Sequence, residues 1–219
     1  MMLGTRHRFG IECYIRSCDG RNIIGDLWLW ANGHRIGDEI SAIDLPLILY
    51  RLSGPLRAQD FRHDVFFDRL TEEQVAEFFF ELVFGEEKVT DELAPIGLHF
   101  HRYLVISAPD LEGFDSVFLI LLGRTDGRDR LIWKYKGTET THEILLEPDE
   151  YDACVLSCFD WLEEQTGYRS PQRDWLALEE LQRDELRRAI LARHPHLGEP
   201  DQRVLLDQAA IEELNRRNR

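Results

Sequence analysis

Three glycine-containing dipeptides place the strongest limits on how this 219-residue chain can fold. Asp19-Gly20, Asn32-Gly33 and Asp126-Gly127 each pair two residues that tolerate positive φ, as the turn of a tight β-hairpin requires. Segments rich in β-branched and aromatic residues lie on both sides of these dipeptides. The pattern therefore predicts consecutive antiparallel strands joined by short turns, which is a β-meander.

The predicted strands fall into an early and a late group. In the early group, the strand over 22–31 has a period of two that places Trp28 and Trp30 on one face. The early strands are 8–17, 22–31 and 34–40, and the late strands are 98–107, 115–123, 130–136 and 142–147.

Capping residues predict two helices between these groups. A short helix over 44–52 has Asp44 as its N-cap, and a longer one over 71–84 begins with a capping box of Thr71 and Gln74. Two phenylalanines of the longer helix, at positions 80 and 84, lie outside the centre of its apolar stripe. This predicts that the helix is covered on more than one side.

A third helix is predicted over 148–166, after the last strand. Pro148 would occupy its first helical position, and Gly167 would end it. Its apolar stripe consists of Tyr151, Cys154, Val155, Cys158, Phe159 and Leu162.

The composition changes after Gly167. Residues 168–219 are rich in Arg, helix-forming and nearly without β-branched residues. We therefore expect an α+β fold over 1–167, in which an antiparallel meander sheet is packed by helices, and an appended C-terminal helical segment over 168–219.

Two short segments carry the whole net charge of −15. Residues 68–92 carry −7 and residues 143–164 carry −8, so the rest of the chain is neutral. Such a charge disfavours nucleic acid and anionic membranes as partners and favours a basic protein. Acidic helix faces are also common for solubility alone, and that interpretation stays open.

The acids of these two helix faces are our candidate partner-binding residues. Exposed carboxylates add little affinity, but they accelerate association with a basic partner and discriminate among partners. The candidates are Glu72, Glu73, Glu77, Glu81, Asp149, Glu150, Asp160, Glu163 and Glu164.

The sequence offers little catalytic chemistry, since it contains no GxGxxG, GxxxxGK[ST], HExxH, GxSxG or CxxC motif. His99 and His101 share a strand face, but no third metal ligand is near them in sequence. Cys154 and Cys158 lie on an apolar stripe, among acids that would raise the pKa of a thiol. We expect no catalytic residue, metal or cofactor; a hydrolase that uses carboxylates or a His99/His101 metal site is the alternative.

The chain shows no sign of a membrane segment. No apolar run approaches the length of a membrane span, and residues 1–10 lack the apolar region of a signal peptide. We therefore expect a cytoplasmic protein.

An ordered set of motif residues spans the first 52 positions. It comprises Phe9, Ile11 and Glu12, then Gly25 and Trp28, then a WxNGxxxGD element with Trp30, Asn32, Gly33, Gly37 and Asp38, and finally the Leu-rich segment 45–52. This arrangement resembles the immunity protein 42 family of bacterial polymorphic toxin systems. The resemblance implies a non-enzymatic antitoxin that binds the toxic domain of a neighbouring gene's product, with structural roles for the motif residues.

Resemblance and charge together predict a cytoplasmic immunity protein that neutralises a cognate effector toxin. The expected partner is a basic toxin domain that acts on nucleic acid, such as a nuclease. The protein itself would bind neither nucleic acid nor membrane. An interaction adaptor unrelated to toxins is the further alternative.

Overall fold

The computed structural model describes residues 1–20, 22–38, 42–57, 62–84, 103–106, 113–198 and 202–217. The chain divides into two compact units, Met1–Tyr168 and Arg169–Arg219. The first contains two antiparallel sheets with helices, and the second is helical, so the expected α+β fold class is confirmed. Among the described residues, no helix combines the length and the apolar character needed to cross a lipid bilayer.

Sheet A is a meander formed by the early strands. Its order is β1 (Met2–Gly4), β2 (Phe9–Asp19), β3 (Asn22–Ala31) and β4 (His34–Ile36), with β5 (Ile43–Asp44) also paired to β3. Positive φ angles at Gly20 (62°), Asn32 (51°) and Gly33 (80°) confirm the first two predicted hairpins. The β2–β3 register shifts once, between Ile15 and Ser17.

Sheet B is a second meander formed by the late strands. Its order is β6 (Leu104–Ile106), β7 (Val117–Gly123), β8 (Asp129–Tyr135) and β9 (Thr141–Leu146). Gly127, with a φ of 82°, confirms the third predicted hairpin. The predicted strand 98–107 is described only over β6, and His99 and His101 lie outside the described residues.

The first helices begin where their caps predict. In α1 (Leu45–Leu52) the Asp44 carboxylate accepts a hydrogen bond from the Leu47 amide at 3.0 Å. The short α2 (Gly54–Arg57) follows. At the start of α3 (Glu72–Phe84), the Thr71 amide donates to the Gln74 side chain at 3.0 Å, and the Gln74 amide donates back to Thr71 Oγ1 at 3.3 Å. These bonds satisfy amides that have no partner within the helix.

The third predicted helix begins later than its proline indicates. Helix α4 (Glu150–Thr166) has Asp149 as its N-cap, with a φ of 63°. The Glu150 amide donates to the Glu147 carbonyl at 3.1 Å, so Pro148 and Asp149 are the central residues of a turn. Proline followed by a residue of positive φ is the type II pattern, and placing Pro148 at the first helical position was therefore wrong. The predicted apolar stripe of this helix is buried throughout.

Each sheet has its own helical cover. Helix α3 packs on sheet B, where Phe67, Val75, Phe79, Ile120 and Ile132 belong to one buried cluster. Helix α4 packs on sheet A, with the rings of Phe9 and Tyr151 5.1 Å apart and the Cys13 and Cys158 sulfurs 3.8 Å apart. A fully buried side chain of this size contributes about 1.5–3 kcal/mol of transfer free energy.

Asp38 joins the two sheets within the first unit through its side chain. The carboxylate of Asp38, from the WxNGxxxGD element, accepts hydrogen bonds from the Asp115 amide at 3.1 Å and from the Ser116 hydroxyl. Both donors lie just before β7. Gly37 precedes it with a φ of 123°, and a Cβ at this position would lie 3.2 Å from the Phe114 ring. The end of this motif therefore holds sheet A against the start of β7.

The second unit is a small helical cluster. It contains α5 (Pro171–Leu176), α6 (Glu180–Leu191) and α7 (Arg203–Arg217), with a 3₁₀ turn over Pro195–Gly198. Trp175, Ile190 and Ile211 lie in its core. The Arg187 guanidinium donates to the Asp207 carboxylate at 2.7 Å and ties α6 to α7.

Candidate functional site

The predicted acids of α3 form a line along the helix. Glu73, Glu77 and Glu81 are four residues apart, so they lie on one face, and all three are exposed, whereas Glu72 is half-buried. Within the described part of the chain, none of these four carboxylates forms an ion pair or a side-chain hydrogen bond. Among the described residues, these carboxylates are therefore not held in ion pairs.

A groove runs beside this line of acids, between α3 and sheet B. We name it the α3 groove, and its volume is about 210 Å³. It is lined by Ala76, Glu77, Phe80 and Glu81 of α3, by Val117 and Phe118 of β7, and by residues 134–138. The sequence predicts that α3 is covered on more than one side. On the side of this groove the cover is incomplete, because Phe80 keeps 42% of its surface exposed.

The two walls of the α3 groove carry opposite charges. Glu77 and Glu81 lie on the helix wall, and Lys134 and Lys136 lie on the strand wall. The strand wall is fixed by hydrogen bonds, since the Tyr135 hydroxyl donates to the Arg35 carbonyl at 2.8 Å and the Lys136 amide donates to the Ser116 carbonyl at 2.7 Å. The groove is thus lined by charged side chains from both walls and by the Phe80 ring.

The acids of α4 are a mixed set. Asp149, Asp160, Glu163 and Glu164 are exposed. Glu150 instead pairs with Arg8 at 2.5 Å, and its side chain keeps only 21% exposure. Burial alone would raise the pKa of Glu150, but hydrogen bonds from Arg8 and from the Glu147 amide bring it below its usual value. Glu150 is therefore a structural residue of the helix start.

The outer face of sheet A carries a second cluster that the charge pattern does not indicate. Glu12, only 8% exposed, accepts hydrogen bonds from Trp30 Nε1 at 2.8 Å, from the Tyr14 hydroxyl at 2.9 Å and from Arg6 at 2.9 Å. Burial would raise the pKa of Glu12, and these donors lower it below its usual value. Trp28 lies on the same face and, like Trp30, is half-buried.

The predicted alternation of β3 is confirmed by this face, because Trp28 and Trp30 point to the same side. The family resemblance implies structural roles for both residues. In the structure each also has a polar contact: Trp28 Nε1 donates to the Asp38 carbonyl at 3.0 Å, and the Arg6 guanidinium lies 4.4 Å from the Trp30 ring. The alternation of β3 predicts that the two tryptophans share a face of the sheet. It does not predict their polar partners, Asp38 and Arg6, which lie outside β3.

The cysteines of α4 are buried in the interior of the first unit. Burial, followed by the nearby Glu150 carboxylate, raises the pKa of Cys154 to about 11. The direction agrees with the sequence-based expectation, but the main cause is burial and not the acidic segment. Within the described ranges, no three His, Cys, Asp or Glu side chains are grouped to hold a metal ion.

These elements define an α+β domain of two antiparallel sheets with packed helices. Residues 1–161 match the family Immunity protein 42, and the chain belongs to this family. The expected family is thereby confirmed. The match ends within α4 and does not reach the second unit.

A crystal structure of CdiI from Burkholderia dolosa AUO158 has a similar fold. The two chains share 18% sequence identity and a TM-score of 0.55, over 75% of this chain and 99% of that one. At this identity the likeness concerns the fold alone. No curated protein matches the chain.

Proposed function

We propose that this protein neutralises a cognate toxin by binding directly to its toxic domain, with the α3 acids at the contact. Membership of an immunity protein family supports the general role. The observation that carries the proposal is the line of exposed carboxylates at Glu73, Glu77 and Glu81, which have no ion-pair partner in the described part of the chain. The protein would act in the cytoplasm as an inhibitor and not as an enzyme.

The α3 acids are better placed for this role than the α4 acids. Like charges four residues apart destabilise a helix by a few tenths of a kcal/mol per pair, and α3 contains no Lys or Arg to offset them. A basic partner would remove this repulsion on binding. On α4, in contrast, Glu150 is already paired with Arg8, and Asp152 is buried against Arg62.

The expected partner is a basic toxin domain, with a nuclease as the leading candidate. A protein that acts on nucleic acid needs a positive surface for phosphate groups, and carboxylates can occupy such a surface. Opposite charges raise association rates by orders of magnitude at low salt. Asp160, Glu163 and Glu164 of α4 would extend the negative field without direct contact.

The one carboxyl of the first unit with a strongly raised pKa among the described residues does not indicate a hydrolase. Asp129 has a raised pKa of about 6, the kind of shift that a catalytic acid shows. However, this carboxyl is only 3% exposed and is bonded to Arg62 at 2.8 Å, so no substrate reaches it. Burial, only partly offset by Arg62, accounts for the raised pKa.

The product of the adjacent gene is the reagent that tests this proposal. We expect it to form a one-to-one complex with this chain in solution and to lose its toxicity when the two are co-expressed. The complex should form more slowly as salt is added, because the attraction between exposed charges is screened. A toxin that neither binds nor is neutralised would contradict the proposal.

Zinc analysis of the purified protein tests the metal-dependent form of the enzymatic alternative. A stoichiometric metal that disappears in a His99→Ala/His101→Ala double variant would favour a metal-dependent hydrolase. Purified protein without stoichiometric metal, combined with toxin binding, supports the inhibitor.

A further inference from the structure

We propose that the α3 groove receives one aromatic side chain of the toxin that carries a hydrogen-bond donor, either tryptophan or tyrosine. This inference rests on the proposed function, because the toxin is the partner that would supply the side chain. It adds a buried anchor to an interface for which surface charge alone provides little affinity.

The size of the groove favours a single side chain as its occupant. Pockets for small-molecule ligands usually measure about 300–1,000 Å³. The α3 groove measures about 210 Å³, which is enough for one large side chain and too little for most cofactors. Its apolar lining comes mainly from Phe80, which is 42% exposed, with a small contribution from Phe118, which is 5% exposed.

The walls of the groove select an aromatic ring with a donor. Lys134 and Lys136 lie on one wall, where an ammonium group can contact the face of a ring. Glu77 and Glu81 lie on the other wall and can only accept hydrogen bonds when ionised. An indole N–H or a phenol O–H can donate to these carboxylates, whereas the side chains of leucine and phenylalanine have no donor.

The groove is also formed before binding. Lys136 and Thr138 belong to a turn in which the Thr138 amide and hydroxyl both donate to the Tyr135 carbonyl, at 3.2 Å and 2.9 Å. On the opposite wall, Ala76 is buried against sheet B, which holds this side of α3 in place. A preformed groove avoids the ordering cost that weakens a flexible binding surface.

A small probe tests the groove without the toxin. N-acetyl-L-tryptophanamide should shift the backbone amide NMR signals of residues 76–81 and 134–138, and N-acetyl-L-leucinamide at equal concentration should not. The shifts should be lost in Phe80→Ala and retained in Leu47→Ala, which truncates a similarly exposed residue on α1. Equal shifts with both probes, or none with the tryptophan probe, would overturn the inference.

The complex with the toxin provides the second test. Phe80→Ala should weaken binding by about 30-fold, which corresponds to the lower limit of an interface hot spot. Glu81→Gln should weaken binding by about tenfold through loss of a charged acceptor, while Leu47→Ala should change the affinity by less than about twofold. Thermal unfolding of each free variant reports whether the fold is intact.

The two tests separate failure of this inference from failure of the proposed function. If the wild-type protein binds the toxin and Phe80→Ala binds equally well, the aromatic anchor is wrong and direct neutralisation stands. If the wild-type protein does not bind the toxin, the proposed function fails. The probe experiment still decides what the groove accepts.

Discussion

Arg62 and Asp152 are joined by a 2.8 Å hydrogen bond although 90 positions separate them in the chain. The same guanidinium donates to Asp129 at 2.8 Å, and all three residues are buried. Asp129 belongs to β8 of sheet B, and Asp152 belongs to α4, which covers sheet A. The Arg62 guanidinium therefore links sheet B to the helix that covers sheet A.

Removal of this arginine should destabilise the first unit strongly. Arg62→Met leaves two buried carboxylates without a cation, which typically costs about 3–5 kcal/mol. Urea unfolding monitored by tryptophan fluorescence measures this loss. Arg51→Met, at an exposed position of α1, is the matched control and should change the free energy of unfolding by less than about 0.5 kcal/mol.

The Asp129 carboxyl should give stability a distinctive pH dependence. Burial, only partly offset by Arg62, raises its pKa to about 6 from a usual value of 3.8. Between these values the folded state binds more protons than the unfolded state, so the contribution of this group to stability falls as the pH rises from about 4 to about 6. The contribution becomes constant about one pH unit above the folded-state pKa, where the carboxyl is ionised in both states.

Comparison with Asp129→Asn isolates this contribution from the other carboxyls. The free energy of unfolding of the wild type minus that of Asp129→Asn should decrease between pH 4 and pH 6. A difference that stays flat across this range would show that the Asp129 pKa is not raised. The amide keeps the size of the side chain, so packing is matched in the two proteins.

The outer face of sheet A should depend on Glu12. Glu12→Ala removes the common acceptor of Trp30, Tyr14 and Arg6, and we expect a loss of about 1–3 kcal/mol. Glu73→Ala, at an exposed position of α3, should have almost no effect. Equal unfolding midpoints for these two variants would contradict a structural role of Glu12.

The local parts of the fold could be predicted from sequence because their causes are local. The hairpins at Gly20, Gly33 and Gly127 follow from positive φ, and α3 begins at its capping box. Pro148 misled the prediction, since proline suits both the first position of a helix and the second position of a turn. The positive φ of Asp149, which the structure shows, distinguishes the turn from a helix start at Pro148.

The candidate site could be predicted only in part, because its pairs are distant in sequence. Spacing identified the line of acids on α3, but it could not show that Arg8 pairs with Glu150 across 142 positions. The α3 groove was missed for the same reason, since Phe80 and Lys134 come from separate elements. An exposed phenylalanine outside the apolar stripe was the one available signal.

The second unit should be dispensable for toxin binding. Met1–Tyr168 and Arg169–Arg219 are separate compact units, and the family match lies entirely within the first. A chain that ends at residue 168 should therefore unfold cooperatively and bind the toxin with unchanged affinity, as measured by calorimetry. Loss of binding in a folded truncated chain would favour an adaptor role for the C-terminal helices.

The association rate with the adjacent gene's toxin domain tests electrostatic neutralisation most directly. Stopped-flow measurements at several salt concentrations should compare the wild type with Glu77→Lys and with Asp19→Lys, which adds the same charge on the β2–β3 hairpin. Glu77→Lys should lower the rate by about tenfold at low salt and flatten its salt dependence, and Asp19→Lys should have a much smaller effect. Equal rates and equal salt slopes for all three proteins would contradict the role of the α3 acids.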